Sequence, residues 1–312
     1  MYLPAVVMGT MGKQKTILVT GGAGFIGSHV ADALLARNDK VIVVDNFNDY
    51  YDPKQKEENV KHNLKNKNYV LYRLDILDFE KLLAVCKKHP IDVIVHLAAR
   101  AGVRPSIAQP RLYYEVNVLG TLNVLECART CSIKQVIFAS SSSVYGNRKK
   151  GPFKETDRVD TPISPYAATK KAGEELCYVY YHLYGINCTC LRFFTVYGPR
   201  GRPDMAPYLF TKAIEEGKPI TVYGDGSSKR DYTPIQAVVE GVLAAIDKTL
   251  GYEIIHLGNG KPITLNQFIA QIEQRVGKKA IKKYMPVQPG DVELTHASIA
   301  KAKKLLGWKK GR

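Results

Sequence analysis

Tyr166 and Lys170, in the run Y-A-A-T-K, set a phenol and an ammonium one helical turn apart. At that spacing both project from one helix face, so the cation can lower the phenol's pKa and help it accept a proton. Far upstream, Gly21, Gly24 and Gly27 punctuate T-G-G-A-G-F-I-G directly after an apolar stretch. Such a turn lets dinucleotide phosphates rest against backbone amides at a helix N-terminus. Either signal alone is weak, because a tyrosine four before a lysine arises by chance in many helices. Together they imply hydride transfer on an alcohol, with Tyr166 as the proton acceptor.

Further residues extend each half of this reading. Gly21 permits the tight turn, Gly24 lets a pyrophosphate approach the backbone, and Gly27 lets helix and strand pack closely, with Phe25 and Ile26 between them. The spacing is G-x-x-G-x-x-G, a variant of the dinucleotide fingerprint. Asp45, followed by Asn46, ends the second apolar run, where a carboxylate accepts hydrogen bonds from ribose hydroxyls and repels a 2′-phosphate. That favours NAD over NADP. Asp75 and Ile76 form an edge for the adenine, and Leu97, Ala98 and Ala99 are small enough for a cofactor to lie on their backbone. His96, just before them, reads as a hydrogen-bonded structural residue. The hydroxyls of Ser140 to Ser143 face the same strand ends and suit a sugar hydroxyl or a developing keto oxygen.

The elements that must position these residues follow from the pattern. Strands are expected at Thr16–Thr20, Lys40–Val44, Tyr69–Leu74, Ile91–Val95, Gln135–Ala139 and Asn187–Phe193. Helices are expected at Gly24–Arg37, Asp78–Lys88, Pro110–Cys131 and Pro165–Tyr184. This alternation gives βαβ units and an α/β, Rossmann-type doubly wound parallel sheet, with ligands at the carboxyl ends of its strands. After Phe193 the chain turns irregular. A helix over Ile235–Asp247 and a strand over Glu253–Leu257 return to the sheet. We therefore expect a Rossmann domain of residues 15–193 plus 233–258 and a smaller substrate-binding lobe of residues 194–232 plus 259–312.

Composition narrows the remaining classes. At 312 residues, with 45% hydrophobic and 24% charged content, the chain has the makeup of a soluble globular protein, and no apolar run suits a membrane span. Residues 1–14 lack the basic start of a secretory signal and read as a disordered extension. The six cysteines show no C-x-x-C spacing, so buried thiols in a reducing cytoplasm are expected and no metal site is. A net charge of +16 is concentrated in Lys54–Lys67, Lys278–Lys283 and Lys301–Arg312. Few aromatic residues interleave there, so a solvated surface fits better than a nucleic-acid platform.

T-G-G-A-G-F-I-G, H-L-A-A, the serine run with V-Y-G, and Y-x-x-x-K together resemble the extended short-chain dehydrogenase/reductase family. The strings N-D-Y-Y-D at Asn48–Asp52, A-G-V-R-P-S at Ala101–Ser106 and F-F-T-V-Y-G-P-R-G-R-P-D-M-A at Phe193–Ala206 are similar to UDP-glucuronate 4-epimerases. The resemblance implies a retained NAD, with Lys170 on the nicotinamide ribose, Phe194 nearby and Tyr166 as the base that starts C4 oxidation. It implies that Ser141, Ser142 and Ser143 contact the hexose, that Asn117 approaches it, and that Thr195 and Arg202 hold the hexuronate carboxylate. Arg104, Thr221–Tyr223, Arg230 and the segment from Gln288 to Asp291 match the uridine-diphosphate cradle. A homodimer paired through the helices at 110–131 and 165–184 is also implied, with Tyr178, Tyr180, Tyr181 and Tyr184 as its aromatic surface. UDP-galactose 4-epimerase, UDP-glucuronate decarboxylase and a non-catalytic RNA- or nucleotide-binding relative are the rival readings. Nucleotide-sugar 4,6-dehydratases fit less well, since the position of their acidic pair holds only serines here. Two departures stand out. Pro234-Ile-Gln-Ala237 replaces an aromatic and acidic pair, and the chain stops at Gly311-Arg312 where relatives continue through another helix, so lower stability is expected.

Overall fold

Strand β1 (Thr16–Thr20) is wholly buried, and its alternating side chains enter two different cores. It sits inside a seven-stranded parallel sheet, so both of its faces must be covered. This is a computed structural model, and it describes residues 13–288 and 290–308. The extension expected over residues 1–14 lies outside the described residues, apart from its last two positions.

In chain order α1 (Phe25–Ala36), β2 (Lys40–Asp45), α2 (Pro53–Lys61), β3 (Tyr69–Arg73), α3 (Phe79–Lys88) and β4 (Val93–His96) follow β1. Next come α4 (Val103–Ala108), α5 (Pro110–Tyr114), a π-helical turn (Glu115–Leu119), α6 (Gly120–Thr130) and β5 (Gln135–Ser141). A 3-10 turn (Ser142–Tyr145), α7 (Pro165–Tyr184), β6 (Asn187–Phe193), β7 (Thr195–Tyr197), α8 (Ala206–Glu215) and β8 (Ile220–Tyr223) continue the chain. The last elements are β9 (Lys229–Arg230), β10 (Tyr232–Pro234), α9 (Ile235–Ile246), β11 (Tyr252–Leu257), β12 (Ile263–Thr264), α10 (Leu265–Val276), β13 (Lys282–Met285) and α11 (Ala300–Leu306).

The sheet order is β11-β6-β5-β4-β1-β2-β3. Ile17, Val19, Val41 and Val43 face α1, α9 and α11, whereas Leu18, Ile42, Val44 and Phe138 face α3, α6 and α7. The expected doubly wound parallel sheet is what the chain forms. A separate apolar cluster joins Phe210 and Ile214 of α8, Ile220 and Val222 of β8, and Phe268, Ile269 and Ile272 of α10. Trp308 instead enters the large core, where its Nε1 donates to the Ala237 carbonyl at 2.8 Å.

Helix α7 carries the reactive pair, and its ends are well specified. The Ser164 hydroxyl accepts from the Ala167 amide, Pro165 opens the first turn, and Gly185 takes the left-handed conformation that closes it. The single helix expected over 110–131 forms without interruption from Pro110 to Thr130, but widens into the π-helical turn at its middle. Its π-helical turn swings Asn117 inward, where Oδ1 accepts from the Arg100 amide at 2.8 Å and Nδ2 donates to the Arg100 carbonyl and Thr169 Oγ1. Of the aromatic surface expected on α7, Tyr180 turns inward and bonds Glu126, while Tyr178 stays exposed.

Candidate active site

A cavity of about 920 Å³ runs along the carboxyl ends of the sheet strands and under the irregular C-terminal segments. At one end lies the glycine turn. A Cβ on Gly21 would stand 2.7 Å from the Ala98 nitrogen, and one on Gly27 would stand 2.2 Å from the Gly21 carbonyl oxygen, so neither position tolerates a side chain. Gly24 meets only the Gly21 oxygen at 3.2 Å and the Tyr51 hydroxyl at 3.9 Å, leaving its backbone open to the cavity. That is the shape a pyrophosphate needs.

Asp45 lies at the adjacent strand end. Its Oδ2 accepts from the Ala23 amide at 3.1 Å, and Oδ1 accepts from the Phe47 amide and the Lys56 ammonium. Lys56 belongs to a run expected to be solvated, yet it is buried, because α2 folds it over Asp45. Asn46 donates to Asp75 at 2.7 Å, and both line the cavity with Ile76, Leu97, Ala98, Ala99 and Phe194. A carboxylate on the ribose side and small residues under the ring system fit a dinucleotide without a 2′-phosphate. His96 stays out of the cavity, bonded to Thr20 and Thr121, and burial depresses its pKa to about 3.

Tyr166 packs edge-on against Tyr113, with ring centroids 6.3 Å apart. Burial raises its pKa, while hydrogen bonding with Ser141 and the Arg202 charge pull the other way. The expected help from Lys170 takes a different form. The ammonium donates to the Ala139 carbonyl at 2.8 Å at the end of β5, and burial lowers its pKa to about 8. Among the described residues the Lys170 ammonium is hydrogen-bonded to the end of β5 and not to the Tyr166 phenol. Ser141 Oγ accepts from the amide and hydroxyl of Ser143, so the two hydroxyls form one unit beside the phenol. Ser142 lines the same wall.

The substrate side is built from β7 and the loops around it. Thr195 and Arg202 line the cavity that holds Tyr166. Arg104 donates to Asp291 at 2.7 Å and lies over the Tyr223 ring at 4.2 Å, and Arg230 borders the same cluster. Two expected contacts do not reach the cavity. Gln288 bonds the Pro286 carbonyl at the surface, and Asn117 is consumed by bracing the Arg100 loop to α7.

The family model for GDP-mannose 4,6 dehydratase matches residues 18–311. The chain belongs to the extended short-chain dehydrogenase/reductase family. An uncharacterised protein of Methanocaldococcus jannaschii is 52% identical over 95% of this chain and 92% of its own. A UDP-glucuronate 4-epimerase of Thermodesulfobacterium geofontis is 48% identical, over 93% of this chain and 90% of its own. The crystal structure of the UDP-glucuronic acid 4-epimerase of Bacillus cereus, in complex with UDP-glucuronic acid and NAD, superposes with a TM-score of 0.89. It is 38% identical, covering 95% of this chain and 94% of that one.

Within this short-chain dehydrogenase/reductase frame, three residues escaped the sequence reading. Lys56, Tyr50 and Asp204 all line the cavity, and Asp204 pairs with Arg202. Tyr50 and Asp204 stand in the strings N-D-Y-Y-D and R-P-D-M-A, but nothing in a linear string shows that a tyrosine near residue 50 meets an aspartate near residue 204, and Lys56 lies in a lysine-rich run that reads as solvated.

Proposed function

We propose that this protein interconverts UDP-glucuronate and UDP-galacturonate by NAD-dependent epimerisation at C4. The observation that carries this reading is Arg202, set with Thr195 in the same cavity as the Tyr166 phenol. A neutral hexose needs no buried cation beside its reacting carbon, whereas a hexuronate does.

When bound, NAD⁺ supplies the acceptor for the C4 hydrogen and returns it to the opposite face of the ring. Gly24 gives its pyrophosphate room, Asp45 holds the adenosine ribose, and Lys170 holds the ribose nearer the reacting carbon. Tyr166, as phenolate, takes the C4 hydroxyl proton, and Ser141 with Ser143 orients that hydroxyl. The resulting 4-keto hexuronate is a β-keto acid. It loses CO₂ if its carboxylate bond aligns with the carbonyl π system, so Arg202 and Thr195 must hold the carboxylate out of that alignment. Arg104, Tyr223, Arg230 and Asp291 serve the uridine-diphosphate end, where a guanidinium suits phosphate oxygens.

The sheet unit, residues 15–193 plus 233–258, carries the cofactor, residues 194–232 and the segment from 259 to 291 carry the nucleotide sugar, and α11 packs back onto the sheet. The chain works as a homodimer, with Leu119 beside α6, and Tyr178, Val179 and Leu183 of α7, forming the shared face. Leu183 is 60% exposed, which a lone chain would not favour. A cytoplasmic setting suits six free thiols. Proton NMR of products from UDP-glucuronate, UDP-glucose and UDP-galactose offered in parallel tests the reading. Inversion of the uronate is expected, and turnover of the neutral sugars alone would overturn it.

A further inference from the structure

Arg202 is not free to meet an anion with its whole fork. Its Nε donates to Asp204 Oδ1 at 3.0 Å and its Nη2 to Oδ2 at 2.6 Å, a bidentate pair. Nη2 also donates to the Tyr50 hydroxyl at 3.1 Å, and that hydroxyl donates to Asp204 Oδ2 at 3.0 Å. Among the described residues Nη1 has no hydrogen-bond partner, so one edge of the guanidinium remains for a ligand. The guanidinium carbon also lies 5.2 Å from the Tyr50 ring centroid.

The triad is held from outside the substrate segments. Tyr50 belongs to the loop after β2, on the cofactor side. The loop that carries Arg202 is tied there twice more, by Gln55 to the Arg200 and Gly201 carbonyls and by Arg200 to Asp32 at 2.7 Å. Gly102 leaves the necessary room, since a Cβ there would lie 2.7 Å from the Tyr50 oxygen and 3.4 Å from Arg202 Nη2.

We propose that Asp204, with Tyr50, is a positioning residue that sets how the substrate carboxylate is held: it locks Arg202 so that only Nη1 faces the sugar. This rests on the epimerase reading above. A carboxylate entering the site meets Asp204's like charge on one side and the Nη1 hydrogens on the other, so it has one angle of approach. A loose guanidinium would still bind the uronate. It would let the carboxylate rotate into alignment with the C4 carbonyl, whereupon the C5–C6 bond breaks, CO₂ leaves, and the electron pair forms an enolate that takes a proton from solvent. Asp204 therefore protects the intermediate more than it strengthens binding.

The test compares Asp204→Asn and Tyr50→Phe with the native holoenzyme on UDP-glucuronate and UDP-glucose, following CO₂ release and the absorbance of reduced nicotinamide. For Asp204→Asn, KM for the uronate stays within about 3-fold while kcat for epimerisation falls about 10-fold or more. CO₂ and reduced nicotinamide accumulate, and C4 oxidation of UDP-glucose is unchanged. Tyr50→Phe shifts the same way by less, and it decides the matter if Asp204→Asn does not fold. Native-like uronate epimerisation without CO₂, or equal losses on both sugars, overturns the proposal. Should the native enzyme fail on UDP-glucuronate while handling UDP-glucose, the epimerase reading falls and takes this inference with it.

Discussion

Glu174 on α7 and Arg192 on β6 form a bidentate ion pair, with both contacts at 2.7 Å and the side chains 0% and 1% exposed. The pair lies one turn beyond Lys170 and is fully supplied with partners. Ser140 donates to Glu174 at 2.6 Å, and Arg192 Nη1 donates to the Tyr145 hydroxyl at 2.6 Å. It pins the helix of the reactive residues to β5 and β6, so the site's geometry rests on a buried charge pair. Removing one partner strands the other charge. Glu174→Gln should cost about 3 kcal/mol of unfolding free energy, measured by denaturant titration. A change below 1 kcal/mol would show that the pair is not holding the fold.

Tyr166→Phe removes the proton acceptor and keeps the ring packed on Tyr113. Epimerisation should drop by about 10³-fold, with NAD binding and melting temperature unaltered. Retained turnover in a rapid-quench assay would transfer the base to another group.

Arg202→Ala should weaken binding of UDP-glucuronate by about 2 kcal/mol, the order of a charge-assisted hydrogen bond, and leave UDP-glucose within experimental scatter. Calorimetry with both ligands decides it. Equal losses would mean that the guanidinium merely supports the loop.

His96 and His256 set an acid limit. Burial lowers both pKa values to about 3, helped by Lys170 for His96 and by Arg192 for His256, against an ordinary 6.5. Both imidazoles therefore stay neutral in the fold, while the unfolded chain takes up protons below pH 6.5. Stability is complete above that pH and is lost as pH falls toward 3, by up to about 1.4 kcal/mol per unit for each ring. Urea midpoints between pH 7 and 5 should show this slope, and His96→Asn should reduce it by one proton. Parallel slopes for the two proteins would remove His96 from the account.

The sheet was legible because its strands are continuous β-branched runs and the chain returns to them at regular intervals. Thr16–Thr20 and Pro165–Tyr184 came out with their expected bounds. The π-helical turn at Asn117 was not, since it goes with hydrogen bonds to Arg100 and Thr169, whose proximity is a tertiary fact. Helices α2, α8 and α10 were hidden by charge and turn residues, although α10 carries a capping box at Thr264 and Gln267, a start signal present in the sequence. In the site, the residues on strand ends were placed by topology alone. Gln288 and Asn117 were not, and neither were Tyr50 and Asp204, whose roles depend on which loop meets which.

Trp308 is the chain's sole indole, buried at 3% exposure and hydrogen-bonded to the Ala237 carbonyl. It does not line the cavity, so its emission reports the docking of α11 on the sheet without interference from a ligand stacked upon it. Red-shifted fluorescence on heating would time the release of this corner, while circular dichroism times the loss of the sheet itself. Two midpoints in place of one would make the C-terminal corner an independent cooperative unit.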